Sequence, residues 1–316
     1  MKTFKVDLSI IIPVFNDEEV LEELYDRLMN IIPSRYDDYE IIMVDDGSKD
    51  NSFEKLKLFH QKNNRIKILK QSRNFGQANS ILAGLQYSKG EIVVIMDSDL
   101  QDRPEDIPVL IKALQEKNVA MSIAKWESRE DSLRKKMASW LFYQFSQRIT
   151  DIKYEKGLGV FRAIKRAAIK ELINVPEITG TVLSLLYWSG ISRVSVPLKR
   201  DKRFAGATGY TLKKMFKLSM ERIFSYSLFP MRLMTNTGLI IGFVSIVVGL
   251  FFIIRKFFNT EVLPGWTSLI VIVSFLFGVN FIFMGLLGEY IGRIYLETKK
   301  RPKYVTEIIL DSSKED

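Results

Sequence analysis

No cysteine occurs in this chain, so a disulfide framework, a thiolate zinc site and a thiol nucleophile are excluded. Histidine is almost as scarce. The single copy, His60, falls in a polar helical stretch from Phe53 to Lys62 and reads as a surface residue, which argues against histidine-based catalysis. No Gly-x-Gly-x-x-Gly follows the first apolar strand, which argues against a dinucleotide dehydrogenase. No Gly-Lys-Ser/Thr loop occurs, which argues against a P-loop NTPase. No signal peptide is expected at the Met1 end, where Lys2 and Lys5 lead straight into an alternating strand. The net charge of +9 is not matched by aromatics interleaved with the basic residues, so nucleic acid is not an expected partner.

Long apolar runs are what the chain does have. Leu233 to Ile254 carries no charge, and neither does Val262 to Gly288. Each exceeds the roughly 20 residues needed to cross a bilayer, so two transmembrane helices are expected. Arg222 and Arg232 precede the first run, and Arg293, Lys299, Lys300, Arg301 and Lys303 follow the second. The positive-inside rule then puts both termini in the cytoplasm, with a short outer hairpin at the cytoplasmic (inner) membrane. The basic excess suits an anionic lipid surface. Leu133 to Ile149 and Thr211 to Leu228 read as amphipathic and are expected either to lie on the membrane surface or to pack on the core or a neighbouring subunit.

Before those runs, strands alternate with helices. Strands are expected at Val6–Val14, Glu40–Val44, Ile66–Lys70, Glu91–Met96 and Val119–Ala124. Helices are expected at Glu18–Ile32, Ser52–Asn63, Gln77–Ser88 and Ile107–Lys117. This order implies an α/β fold with a doubly wound, mostly parallel sheet. The expected division is a catalytic domain over 1–210, a juxtamembrane segment over 211–230, a two-helix hairpin over 231–292 and a basic tail over 293–316.

Ligands in such sheets bind outside the carboxyl ends of the strands. Three of those ends are chemically loaded: Pro13-Val14-Phe15-Asn16-Asp17-Glu18, Asp45-Asp46-Gly47-Ser48 and Asp97-Ser98-Asp99. A strand buried on both faces cannot hold charges inside, so the carboxylates belong at a solvent-open rim. Hard oxygen ligands there suit a divalent cation shared with a phosphate. Acidic strand ends also suit a sugar nucleotide, because carboxylates accept from base or ribose donors.

Ile11-Ile12-Pro13-Val14-Phe15-Asn16, Val44-Asp45-Asp46-Gly47-Ser48 and Asp97-Ser98-Asp99-Leu100-Gln101-Asp102 resemble the signature blocks of family 2 glycosyltransferases with the GT-A fold. Arg73-Asn74-Phe75-Gly76, the block from Gly285 to Tyr295 and Arg301-Pro302-Lys303-Tyr304 are similar to blocks of the polyprenyl-phosphate group, which includes dolichyl-phosphate mannose synthase and bacterial undecaprenyl-phosphate enzymes. The resemblance implies transfer of a sugar from a nucleotide sugar, UDP-linked by family precedent, to a polyprenyl phosphate. It implies Mg²⁺ or Mn²⁺ on Asp97, Asp99 and Gln101. Pro13, Phe15, Glu18, Asp45 and Asp46 would frame the nucleotide. Arg200 and Arg203 would close on the diphosphate, as part of a basic loop whose other reading is a solvated, lipid-facing charge run. Arg129, Arg134 and Arg162 are the candidates for the acceptor phosphate, since guanidinium forks match phosphate oxygens. Relatives of this type can assemble through their membrane segments, so a homo-oligomer is an expected partner arrangement.

Two positions depart from the family pattern. Val160 stands where many relatives carry an acidic residue, and Gly209 where many carry lysine before Tyr210. Both bear on which sugar is transferred. Two other readings compete: a membrane-bound polysaccharide synthase, and an inactive nucleotide-binding scaffold. The first usually has a Gln-x-x-Arg-Trp block, which this chain lacks.

Overall fold

The computed structural model describes residues 7–126, 157–170, 172–174, 181–201, 229–258 and 265–312. The amphipathic segments expected within 133–149 and 211–228 lie outside these residues, as do Arg129, Arg134, Arg203 and Gly209.

The chain forms two compact units. The first comprises residues 1–139, 152–209 and 300–316. Its eight strands are β1 (Leu8–Val14), β2 (Tyr39–Asp45), β3 (Ile66–Gln71), β4 (Ile92–Ile95), β5 (Met121–Trp126), β6 (Leu158–Lys165), β7 (Arg193–Leu198) and β8 (Thr306–Leu310). They make one sheet in the order β7-β5-β6-β4-β1-β2-β3-β8. The centre is parallel, as expected: β1 pairs with β2 and β4, and β2 with β3. The flanks are mixed. β6 runs antiparallel to both β4 and β5, β7 runs parallel to β5, and β8 runs antiparallel to β3.

Helices cover both faces because both faces of the central strands are apolar. On one face Ile10, Ile12 and Val14 meet α1 (Leu21–Ile31), α2 (Ser52–Lys62) and α4 (Ile107–Glu116) through Leu24, Leu56 and Leu110. On the other face Ile11, Val93 and Ile95 meet α3 (Gln77–Tyr87) and α6 (Val182–Trp188) through Ile81, Leu85 and Leu186. A single turn of helix, α5 (Arg166–Ile169), follows β6. α1 begins at Leu21 rather than Glu18, because the Val20 amide closes a turn on the Asp17 carbonyl at 3.0 Å.

The basic tail expected over 293–316 is corrected by the structure. Helix α8 (Trp266–Thr298) continues through Arg293, and Thr306–Leu310 is an integral edge strand of the sheet. Its alternation turns Ile308 and Leu310 partly inward onto the core cluster, and it covers an edge that would otherwise expose unpaired backbone groups.

The second unit, residues 140–151 and 210–299, is described over α7 (Phe229–Phe258) and α8. Among the described residues, Phe275–Thr298 of α8 is the one segment long and apolar enough to cross a membrane. Large apolar side chains stand exposed on both helices, including Phe243 at 70% and Phe281 at 68%. Exposure on that scale marks an interaction surface rather than a water-facing one.

Candidate active site

The loaded strand ends are neighbours in space because β4, β1 and β2 are adjacent. Ile11 lies opposite Ile95 and Val14 opposite Asp45, so Asp97 and Asp45 emerge at nearly the same height on either side of β1. The loops that follow are tied together. The Asn16 amide donates to Ser48 Oγ at 3.0 Å, and the Lys49 amide returns a bond to Asn16 Oδ1 at 2.8 Å. Asp17 takes the Ser98 hydroxyl at 2.5 Å, which joins the β1 and β4 ends directly.

Each nucleotide candidate now has a place. Phe15 is 39% exposed at the rim and free to meet a planar base, whereas Pro13 is buried in β1. Asp45 is fully buried; its Oδ1 accepts from the Ser48 amide at 3.2 Å, and its Oδ2 has no hydrogen-bond partner. Burial raises its pKa above the usual carboxylate value. Leaving such an atom unpaired is costly, so Asp45 is suited to receive a ligand donor. Glu18 spends one oxygen on the Asn51 amide at 2.8 Å, at the start of α2. Asp46 is engaged at both oxygens, which accept from the Phe75 and Gly76 amides at 2.7 and 2.9 Å, so it builds the turn before α3.

That turn requires Gly47. Its φ of +71° lies in the left-handed region, and a Cβ there would meet the Arg73 carbonyl carbon at 2.6 Å. Gly47→Ala is therefore expected to cost about 1–3 kcal/mol from the backbone conformation alone, with displacement of the β3–α3 turn on top. Thermal unfolding together with nucleotide binding measures both, and an unchanged melting temperature would contradict the clash.

At the end of β4 the acidic groups converge. Gln77, the first residue of α3, donates its amide to Asp97 Oδ1 at 2.5 Å. The Asp97 amide donates to Asp102 Oδ2 at 3.3 Å, and the Gln101 amide to Asp99 Oδ1 at 3.2 Å. Leu100 sits at φ 57°, which folds Asp102 back under the strand end. Burial raises the pKa of Asp97, and the nearby Asp102 and Asp99 charges raise it further. Burial also raises Asp102, while Arg200 opposes both shifts. Arg200 lies 5.3 Å from the Trp126 ring centroid with its Nε buried and unpartnered. Gln77 and Asp102 carry no assignment from the sequence. Their only signal is adjacency: Gln77 follows the Arg73–Gly76 block, and Asp102 closes the Asp97–Gln101 block.

Arg162 is placed differently from the expectation. It is 2% exposed, and its Nε and Nη2 donate to the Val160 and Gly159 carbonyls at 2.8 and 2.7 Å. With Nε and Nη2 spent on carbonyls, only Nη1 is left buried without a hydrogen-bond partner, so the guanidinium offers less than a free fork. It is a buried cation within electrostatic reach of Asp97, with its own pKa lowered by burial. Val160 packs on the apolar cluster beside α6, so no base acts from that position.

The donor set fits a divalent cation only in part by itself. Among the described residues no group of three or more acidic or histidine side chains forms a ready-made cage. Mg²⁺-type ions keep several waters and bind through one or two carboxylates plus substrate phosphates, which matches Asp97 and Asp99, while the Asp102 Oδ1 nearby is buried without a hydrogen-bond partner. Gln101 is buried, and its backbone carbonyl accepts from the Asp201 amide at 3.2 Å.

Comparison with known proteins accords with this geometry. The model for glycosyl transferase family 2 matches residues 9–173. A Bacillus subtilis protein described as the uncharacterized glycosyltransferase YkcC is 36% identical over 302 residues, covering 96% of this chain and 94% of its own. The prophage bactoprenol glucosyl transferase homolog of Escherichia coli K12 is 34% identical over 300 residues, covering 94% and 97%. The bactoprenol glucosyl transferase of Shigella phage SfV is 35% identical over 300 residues, with the same coverage. Among solved structures, a mannosyltransferase from Pyrobaculum calidifontis with GDP-Man and Mn²⁺ aligns at a TM-score of 0.46 and 20% identity, over 66% of this chain and 59% of that one. The chain belongs to glycosyl transferase family 2 and is a glycosyltransferase.

Proposed function

We propose that the protein is an inverting, metal-dependent transferase that moves a sugar from a UDP-sugar to a polyprenyl phosphate, undecaprenyl phosphate in particular. The observation that carries this reading is the meeting of Asp97, Asp99 and Asp102 with Arg200 at one strand end, beside the buried, half-satisfied Asp45. Such a rim takes a nucleoside on the Asp45 and Phe15 side and a diphosphate on the Asp97 side. Similarity to bactoprenol glucosyl transferases over nearly the whole chain supports the lipid acceptor. The exposed apolar surfaces of α7 and α8 support two spans, and the basic residues that flank them support a cytoplasmic catalytic domain and cytoplasmic termini.

A bound Mg²⁺ or Mn²⁺ would supply charge neutralisation to the leaving diphosphate. Asp97 and Asp99 would hold that ion, with Gln77 fixing Asp97 and Arg200 adding a counter-charge. A phosphate monoester is already anionic near pH 7, since its second pKa is about 6. The acceptor therefore needs positioning rather than a strong base, which agrees with the apolar Val160. Arg129, Arg134 and Arg203 would supply the remaining phosphate contacts, and Arg162 would act as a buried charge within reach of Asp97. Single displacement inverts the anomeric centre.

Membranes containing the full chain, given undecaprenyl phosphate and a panel of labelled nucleotide sugars, are expected to yield chloroform-soluble label that EDTA abolishes. No lipid-linked label with any donor, under any metal condition, would overturn the reading.

A further inference from the structure

The block Arg301-Pro302-Lys303-Tyr304 stands just after α8, and the proposed chemistry gives it no role. We propose that Tyr304 and the strand it introduces are a positioning strap for the donor half of the site. This rests on the nucleotide-sugar reading above.

The chain of contacts is continuous within the first unit. Tyr304 packs on the cluster formed by Ile42, Val44, Leu69 and Ala83, and its hydroxyl donates to Gln86 Oε1 at 2.5 Å. Gln86 and Ala83 both belong to α3, so Tyr304 is fastened along that helix. The next residue, Val305, accepts the Ser72 amide on its carbonyl at 3.0 Å. Thr306 then pairs with Gln71, where the β3–β8 register shifts. Ser72 opens the turn Arg73–Gly76, whose amides are held from the other side by Asp46. The turn ends in Gln77, which grips Asp97. The turn between β3 and α3 is therefore clamped on one side by the acidic end of β2 and on the other by the chain returning from α8.

An edge strand with no functional role would cover the β3 edge and stop there. Here it also supplies a backbone acceptor to the turn that orients a proposed metal ligand. The opposite end of the strand does separate work. Asp311 accepts the Tyr87 hydroxyl at 2.6 Å and pairs with Lys67 at 3.4 Å, level with the amino ends of the central strands and away from Asp97. The two ends of β8 thus give a paired test: loosening the Tyr304 end acts on donor binding, and loosening the Asp311 end acts on stability.

The test uses the full chain in detergent or membranes, with UDP plus Mn²⁺ as the probe. Tyr304→Ala is expected to weaken UDP·Mn²⁺ binding by about tenfold, within the range that remote positioning contacts support, and to speed amide hydrogen exchange over Ser72–Gln77. Tyr304→Phe, which keeps the packing and loses the hydroxyl, is expected to fall between Tyr304→Ala and the wild type. Asp311→Asn is expected to lower the melting temperature and leave UDP·Mn²⁺ affinity within about twofold. Equal UDP affinity and equal exchange in Tyr304→Ala and the wild type would overturn the strap. Faster exchange in the variant, with no UDP binding by the wild type, would uphold the strap and overturn the donor assignment.

Discussion

Replacing Asp99 by alanine is expected to reduce metal-stimulated sugar transfer by at least about a hundredfold. A cation at the leaving diphosphate provides several kcal/mol of transition-state stabilisation, and each 1.36 kcal/mol is tenfold in rate. Asp99 is half-buried beside Asp97, and its Oδ1 accepts from the Gln101 amide at 3.2 Å. Its loss removes one of two carboxylates that can reach a shared ion, while the β4 core stays intact. The melting temperature should accordingly move little. Turnover measured against Mn²⁺ concentration separates the cases: an Asp99→Ala enzyme that keeps wild-type rates at saturating Mn²⁺ would remove this residue from the proposed metal site.

The same cluster sets a pH dependence. Asp97 has a raised pKa because burial disfavours its charge and Asp102 and Asp99 repel it. In the metal-free protein its carboxyl therefore holds a proton to higher pH than an ordinary aspartate. A metal needs the carboxylate, so binding releases that proton and apparent affinity rises with pH. Mn²⁺ affinity measured by calorimetry is expected to strengthen from pH 6 to pH 8 and to fall as pH drops. The proton count, read from buffers of different ionisation heat, checks the sign.

Much of this site was legible before any coordinates. Asp45 and Asp97 end apolar runs that cannot hold charge, and strand order alone puts such ends on one rim. What stayed hidden depends on backbone geometry at single residues. Asp102 reaches Asp97 only because Leu100 turns left-handed, and Asp46 faces inward only because Gly47 lets Arg73 approach. Arg162 carries the right chemistry for phosphate, but its place in β6 sends it into the core, and nothing in the local sequence reports that. The central elements from β1 to α4 follow from periodicity. β8 does not, because its partner β3 is far away in sequence and a strand five residues long in a charged context has little signal of its own.

That distant strand completes a buried charge network whose disruption is expected to be the largest stability effect in the first unit. Lys67 on β3 is 7% exposed and lies 2.8 Å from Glu40 on β2 and 3.4 Å from Asp311 after β8, both carboxylates being nearly inaccessible. Glu40 also accepts the Ser9 hydroxyl at 2.6 Å and the Lys89 amide at 2.5 Å, so five segments meet on one charged centre. Lys67→Met removes the cation that bridges Glu40 and Asp311 and leaves two buried carboxylates near each other. Breaking a buried pair in this way costs about 3–5 kcal/mol. The wild-type network is not itself worth that much, because desolvating three charges offsets their attraction; the cost arises from stranding the survivors. A second substitution, Glu40→Gln, should therefore recover part of the loss, and Lys67→Met alone should be worse than the pair. Denaturation of the single and double variants gives the coupling directly, and a Lys67→Met deficit below about 1 kcal/mol would show that water reaches the carboxylates. All of these groups sit toward the amino ends of the strands, with Asp97 and Asp45 at the carboxyl ends. Folded Lys67→Met protein, assayed well below its melting temperature, should therefore keep its donor KM. In this sheet one rim holds strands together, and the other is the one proposed to hold substrate.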